Sequence, residues 1–319
     1  MNLSQISYED LDYPLYIIWQ LTNRCNLECI HCLWASHEPY PDELNVDEVL
    51  KFGKEIADHQ VLYVTLSGGE PLLHPAFWKL AELLRSQDVE IKIETNGQLI
   101  NGKVAKKLAD LDFKSVQVSF DGATKESYEK MRVRGSYEKT VNAIKYLVNY
   151  GVNVEVVFVP TRFNIDETEQ LMDLLASLGV KAVYTARPLY MGRAALNWDI
   201  VNPTDEQFEK YIKVLEEKER QHKGKMRIIY SRLNPAEELK YTLQHPTPAP
   251  IVMANGFIRL SNSLPFVIGN VRKDNLKTLW ERYKKAWRHP MVAEFINEAI
   301  KDYKILRKAN ENIPLLNLD

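Results

Sequence analysis

Short runs rich in β-branched and aromatic residues alternate, over the first 195 positions, with stretches whose apolar residues recur every three to four places. The runs are YPLYIIWQL (13–21), VLYVTLS (61–67), VEIKIET (89–95), SVQVSF (115–120), VNVEVVFVP (152–160) and KAVYTAR (181–187). Several are nearly continuous in apolar residues, as strands buried on both faces are. The stretches between them predict amphipathic helices. Asn45 with Glu48 forms a capping signature for one, Asn164 is a second expected N-cap, and Gly179 marks the end of that helix. Six strand–helix units predict parallel strands joined by right-handed crossovers, an α/β class. They are too few for a closed eight-unit barrel and suit an open partial barrel or a doubly wound sheet. In either, the loops after the strands' carboxyl ends are the expected functional loops.

After Asn202 the texture changes. TDEQFEKYIKVLEEKERQHKGK reads as a charged surface helix that Thr204 and Gln207 open with a capping box. QHPTPAP (244–250) is proline-rich and reads as a linker or lid, and NGFIRLSNSLPFVIGNV (255–271) as short strands and turns before a helix at LKTLWERYKKAW. The expected domains are 1–200, a helical linker 201–250 and a C-terminal segment 251–319.

The net charge of −2 over 319 residues gives no basic field for nucleic acid or anionic membrane, and no apolar run reaches the length of a membrane helix. The amino terminus lacks a basic-then-apolar signal layout, and the cysteines do not suggest a secreted disulfide framework. A cytoplasmic protein is expected.

All three cysteines fall in CNLECIHC, as Cys25, Cys29 and Cys32. The C-x3-C-x2-C loop follows the first strand. Iron–sulfur clusters and zinc both take thiolates at such spacing. Zinc would need a fourth ligand such as His31, whereas a three-thiolate cluster would leave one iron open. Three later strands end in small, hydrogen-bonding residues: LSGGEP (66–71), ETNGQ (94–98) and VSFDG (118–122). Any one alone reads as a turn. Together, on the rim that carries the thiols, they read as a ligand cradle.

On these motifs the chain resembles the radical S-adenosylmethionine (SAM) superfamily, over about Pro14 to Ala195. The resemblance implies a partial (β/α)6 barrel. It implies one [4Fe–4S] cluster on Cys25, Cys29 and Cys32, with SAM on the open iron and cleaved reductively to a 5′-deoxyadenosyl radical that abstracts a hydrogen atom from substrate. It further implies that Gly68, Gly69 and Glu70 bind the methionyl amine and Pro71 shapes that turn. Asn96 and Ser119 would lie near the ribose and carboxylate, and Arg132, with Arg134 in competition, would bind the carboxylate. The nearest likeness is to SPASM-type peptide maturases of the mycofactocin-maturase kind, seen also in PLYMGRAA and in the 255–280 stretch. Where a SPASM segment presents cluster cysteines this chain has Ser261 and others. The C-terminal segment is therefore expected to be a small α+β remnant without an auxiliary cluster.

With every thiol on one cluster, none remains to return a hydrogen atom. Tyr184 and Tyr190 are the remaining weak candidates for such a role, with packing as the plainer reading of each. Arg193, in GRAA, reads as a substrate or adenine contact or as a surface turn. His31 reads as a shield of the cluster. Two substrates remain open: a ribosomal peptide precursor, presented directly or by a separate recognition protein, and a small molecule such as a sugar, nucleoside or tetrapyrrole. Flavodoxin or ferredoxin is the expected electron donor. A non-catalytic iron–sulfur or zinc module that binds a partner is the remote third reading.

Overall fold

Asn45 accepts the N–H groups of Asp47 and Glu48, and the Glu48 carboxylate accepts the Asn45 N–H, so the capping box starts the helix Val46–Asp58 as expected. Thr204 and Gln207 start the helix Asp205–Gln221 in the same way. Gly179 takes a φ of 86° just after the helix Thr168–Ser177, a conformation that favours glycine. Asn164 departs from expectation. It makes no side-chain cap and precedes a short 3₁₀ turn, Ile165–Glu167. Its amide instead accepts the Thr161 N–H at 2.6 Å and donates to the Asp121 and Val159 carbonyls at 2.9 and 3.0 Å. Pinning the loop after the fifth strand run outweighs capping there.

The computed structural model describes residues 8–246 and 248–319, so Thr247 of the expected 244–250 linker lies outside the described residues. The strands are, in chain order, β1 (Tyr16–Thr22), β2 (Tyr63–Gly68), β3 (Glu90–Thr95), β4 (Ser115–Ser119), β5 (Val154–Phe158), β6 (Ala182–Thr185), β7 (Arg227–Tyr230), β8 (Ile251–Val252), β9 (Phe257–Arg259), β10 (Phe266–Asn270) and β11 (Ile313–Pro314). The first six coincide with the six apolar runs, and β7 is a further strand the pattern did not announce.

The chain divides into two compact units. One comprises residues 8–24, 38–91 and 235–319. Its strands run in the order β11-β10-β9-β8-β1-β2, with β1 parallel to both β2 and β8 and the β8-β9-β10 strands antiparallel. Ile17, Trp19 and Leu21 of β1 are fully buried with Val64 and Leu66 of β2, and Phe52 meets Trp19 edge-on at 5.2 Å. Each such side chain contributes roughly 1.5–3 kcal/mol by leaving water.

The second unit comprises residues 25–37 and 92–234, and its strands β3-β4-β5-β6-β7 are all parallel. One face, with Val116, Val118, Val154, Val156 and Val183, is wholly buried. The other carries Lys92, Gln117, Glu155 and Tyr184. The Lys92 ammonium meets Glu155 at 2.9 Å, with side chains 17% and 8% exposed, and lies 4.7 Å from the centre of the Tyr184 ring. Removing one partner of a buried ion pair leaves the other charge uncompensated, whereas replacing both by apolar residues of similar size is often neutral. Lys92→Met should therefore lose about 3–5 kcal/mol of stability in chemical denaturation, and Lys92→Met with Glu155→Leu should recover most of it.

Candidate functional site

The tip of β2 is stitched to the chain that leads into the thiol loop. The Gly69 N–H donates to the Thr22 carbonyl at 2.7 Å and the Glu70 N–H to the Arg24 carbonyl at 2.8 Å. A Cβ on Gly69 would sit 2.7 Å from the Arg24 carbonyl carbon and the Asn23 carbonyl oxygen. Gly68 adopts a φ of 130°, and a Cβ there would collide with the Thr22 carbonyl oxygen. The motif thus meets a packing need of the backbone itself, besides the ligand approach expected of it. Glu70 is fully buried, its carboxylate accepting the Leu72 N–H at 3.3 Å, and Pro71 opens the short 3₁₀ turn Pro71–Leu73.

In the second unit the thiol loop is closed on itself: the Cys25 N–H donates to His37 at 2.9 Å and the Cys32 N–H to Cys29 at 3.2 Å. The segment after the helix Lys125–Met131 supports it from one side, where the Met131 and Val133 carbonyls accept the Ile30 and Glu28 N–H groups, both at 3.0 Å. The helix Gly192–Leu196 straps it from another. Arg193 donates from its own N–H to the Cys32 carbonyl, from Nε to the Cys29 carbonyl and from Nη2 to the Ser36 carbonyl, all at 2.9 Å. Asn197 adds a bond from Nδ2 to the Ile30 carbonyl at 3.2 Å. Gly192, at a φ of 49°, permits this approach, since a Cβ would lie 2.6 Å from the Cys32 carbonyl oxygen. Arg193 is therefore neither a free surface turn nor a side chain held out for substrate; its N–H, Nε and Nη2 donors fix the thiol loop. Arg193→Met should lower the iron and sulfide retained per chain after reconstitution at least several-fold, with partial recovery in Arg193→Lys.

All three thiols are free of disulfides, and Cys29 is buried. Burial pushes the Cys29 thiol up to about 12, against the pull of Arg132, with Cys32 and Cys25 close enough to raise it further. Nitrogen donors point at the sulfurs: the Leu27 N–H at 3.4 Å and Asn96 Nδ2 at 3.8 Å from Cys25 Sγ, and Arg132 Nη1 at 3.5 Å from Cys29 Sγ. Asn96 also donates to Asn26 Oδ1 at 2.8 Å and accepts the Gln98 N–H at 2.9 Å.

Asp121, fully buried, organises the charges behind the loop. It meets Arg132 at 2.6 Å and His31 Nε2 at 3.1 Å, and accepts the Val159 N–H at 2.7 Å. Burial alone would raise its carboxyl, but Arg132 and His31 outweigh that and hold it down at about 2. Arg132 is thus committed to Asp121 and Cys29, while Arg134 pairs with Glu28 at 3.0 Å on the surface. Ser119 ends β4, half-buried, on the same sheet face as Tyr184. Tyr190 packs edge-on against Trp198 at 5.1 Å. In VSFDG nothing marks Asp121 for this task, because a lone aspartate before a glycine reads as a turn.

The second unit is an α/β unit in which an all-parallel sheet carries a loop of three free thiols. Residues 19–175 match the model of the Radical SAM superfamily. The chain is 38% identical over 199 residues to the mycofactocin maturase MftC of Mycolicibacterium smegmatis, covering 62% of this chain and 50% of that protein. It is 27% identical over 290 residues to an AdoMet-dependent heme synthase of Methanosarcina barkeri, covering 84% of this chain and 82% of that one. Among solved structures, SuiB of Streptococcus suis bound to S-adenosylmethionine superposes with a TM-score of 0.71 at 17% identity, over 86% of this chain and 67% of that one. The chain spans about half the length of the maturases it matches. The family uses SAM and an iron–sulfur cluster. No helix among the described residues is long and apolar enough to cross a membrane.

Proposed function

We propose that this chain is a radical SAM enzyme that modifies a ribosomally made peptide, with Cys25, Cys29 and Cys32 holding one [4Fe–4S] cluster. The observation that carries this reading is the donor set around the sulfurs. Burial alone favours the neutral Cys29 thiol, whereas the nitrogen donors aimed at the Cys25 and Cys29 sulfurs would favour thiolates held by a metal. Among the described residues no three Cys, His, Asp or Glu side chains converge on a single-ion site, a convergence that one thiolate per iron of a multi-iron cluster does not require. When bound, cluster and SAM supply a carbon-centred radical that takes a hydrogen atom from substrate.

The chain's own residues supply the rest. The loop fixed by Arg193 and Asn197 orients the three sulfurs. Arg132, anchored by Asp121, donates toward Cys29 and keeps positive charge beside the thiolates. Asn96 steadies the Cys25 side, and Asn96 and Ser119 are the proposed contacts near the SAM ribose and carboxylate. Gly68, Gly69, Glu70 and Pro71 are the proposed cradle of the methionyl amine. The peptide substrate is supported by the identity to MftC and by the fold shared with SuiB, which has been solved with its precursor peptide. A flavodoxin or ferredoxin is the proposed reductant.

A second reading, a tetrapyrrole substrate, is favoured by the alignment to the heme synthase, which runs over most of both chains. Anaerobic reconstitution with iron and sulfide, reduction and addition of SAM should yield 5′-deoxyadenosine. A zinc-loaded protein that forms none would end the radical reading. Mass spectrometry of candidate peptides and porphyrins incubated with the active enzyme then separates the substrates.

A further inference from the structure

We propose that β7 is a docking edge on which an acidic, extended segment of the peptide substrate adds as a further parallel or antiparallel strand. The inference rests on the peptide reading and deepens it.

β7 is the last strand of its sheet among the described residues. The Arg227 N–H donates inward to the Lys181 carbonyl at 3.0 Å, so by the alternation of a parallel ladder Ile229 also faces β6, while the backbone groups of Ile228 and Tyr230 point outward. An open groove of about 580 Å³ runs along this edge, lined by Glu219 and the stretch from Ile228 to Arg232. Such an edge is a template for an added strand.

Charge selects the occupant. Residues 220–232 contain five basic residues, Arg220, Lys223, Lys225, Arg227 and Arg232, and no acidic one, in a chain whose net charge is only −2. All five are exposed. Arg232 pairs with Glu216, whereas the other four have no carboxylate partner among the described residues. Glu219 accepts a hydrogen bond from the Tyr230 hydroxyl at 3.3 Å and is the acidic group in the groove lining.

Lysine and arginine also serve to blunt sheet edges against unwanted pairing. Blunting puts the charge on the strand itself. Here the flanks carry most of it, and the strand reads RIIY, with Ile229 exposed at 37%. Ile229 pairs in register with Tyr184, on the face that Ser119 shares. A strand added to β7 would therefore send every second side chain to that same face.

The probe is a capped, fluorescein-labelled dodecapeptide of alternating Glu and Val, titrated against the full chain by anisotropy, with amide hydrogen exchange read across residues 227–231. Saturable binding with slowed exchange at Ile228 and Tyr230 is expected. Lys225→Glu with Arg227→Glu should weaken it tenfold or more. Tyr230→Pro removes an outward amide that β6 does not use, so the fold should persist while docking fails. A peptide N-methylated at every residue keeps the charge but has no N–H to offer on either edge, and it should not bind, without any change to the protein. Equal binding of the N-methylated peptide, or unchanged exchange at saturation, would overturn the docking. The peptide reading stands or falls separately by turnover: an enzyme that modifies a peptide with equal kcat/KM in wild type and Tyr230→Pro loses the docking alone.

Discussion

Cys29→Ala should abolish 5′-deoxyadenosine formation, to below about one-thousandth of the wild-type rate, and leave the fold intact. The sequence has no cysteine outside the loop to replace the lost thiolate, and the proposed cluster uses Cys25 and Cys32 as well. The thiol is small and buried, so its loss leaves a cavity worth only about 1 kcal/mol, well within what a domain of this size tolerates. The loop is held by backbone bonds from Arg193, from Cys32 and to Met131, none of which uses the Cys29 sulfur. Circular dichroism and the melting temperature of the apoprotein should therefore change little. Iron content should fall with activity. A folded, iron-loaded Cys29→Ala that still cleaves SAM would refute the three-thiolate assignment. A variant that fails to fold would instead point to a structural role for the buried thiol.

Much of the architecture was legible because long apolar runs and helix caps are local signals. The runs at 13–21 through 181–187 became β1 to β6, and the capping boxes at Asn45 and Thr204 formed as read. β7 was not legible. Its four residues follow a basic stretch, and half of its backbone bonds depend on β6, which is distant in sequence. The N-cap expected at Asn164 failed for the same kind of reason, since a carbonyl more than forty positions away, that of Asp121, claims its amide.

At the site, the thiol spacing and the strand-end motifs announced themselves, but the supports did not. Arg193 binds carbonyls of residues 29, 32 and 36, and main-chain carbonyls leave no trace in side-chain identity. Asp121 is one carboxylate among 43 acidic residues, and only its burial beside Arg132 and His31 singles it out. Glu155 sits inside a run that looks apolar because its neighbours are, and only the register of β3, β4 and β5 brings it to Lys92 on one face.

Gly69→Ala should lose SAM-dependent activity about a hundredfold or more while iron loading falls much less. The added methyl has nowhere to go: the Arg24 carbonyl group and the Asn23 carbonyl oxygen already occupy the space, and both are backbone. A side chain would turn aside, but here the tip of β2 must retreat from the chain after β1. That retreat stretches the Gly69-to-Thr22 and Glu70-to-Arg24 hydrogen bonds and shifts the buried Glu70. Overpacking of this kind costs about 1–3 kcal/mol, a modest loss in melting temperature. The effect on SAM should be larger, because a displacement near 1 Å in a positioning group is enough for about a hundredfold. Binding of SAM by calorimetry and cluster content by iron assay separate the two. The sulfurs rest on supports other than β2, namely Arg193, Asn197 and the carbonyls of Met131 and Val133. Lost SAM affinity with retained iron would mark the GGEP turn as the cofactor's cradle. Equal loss of both would make it instead a structural brace of the thiol loop, and retained SAM cleavage would take the turn out of the site.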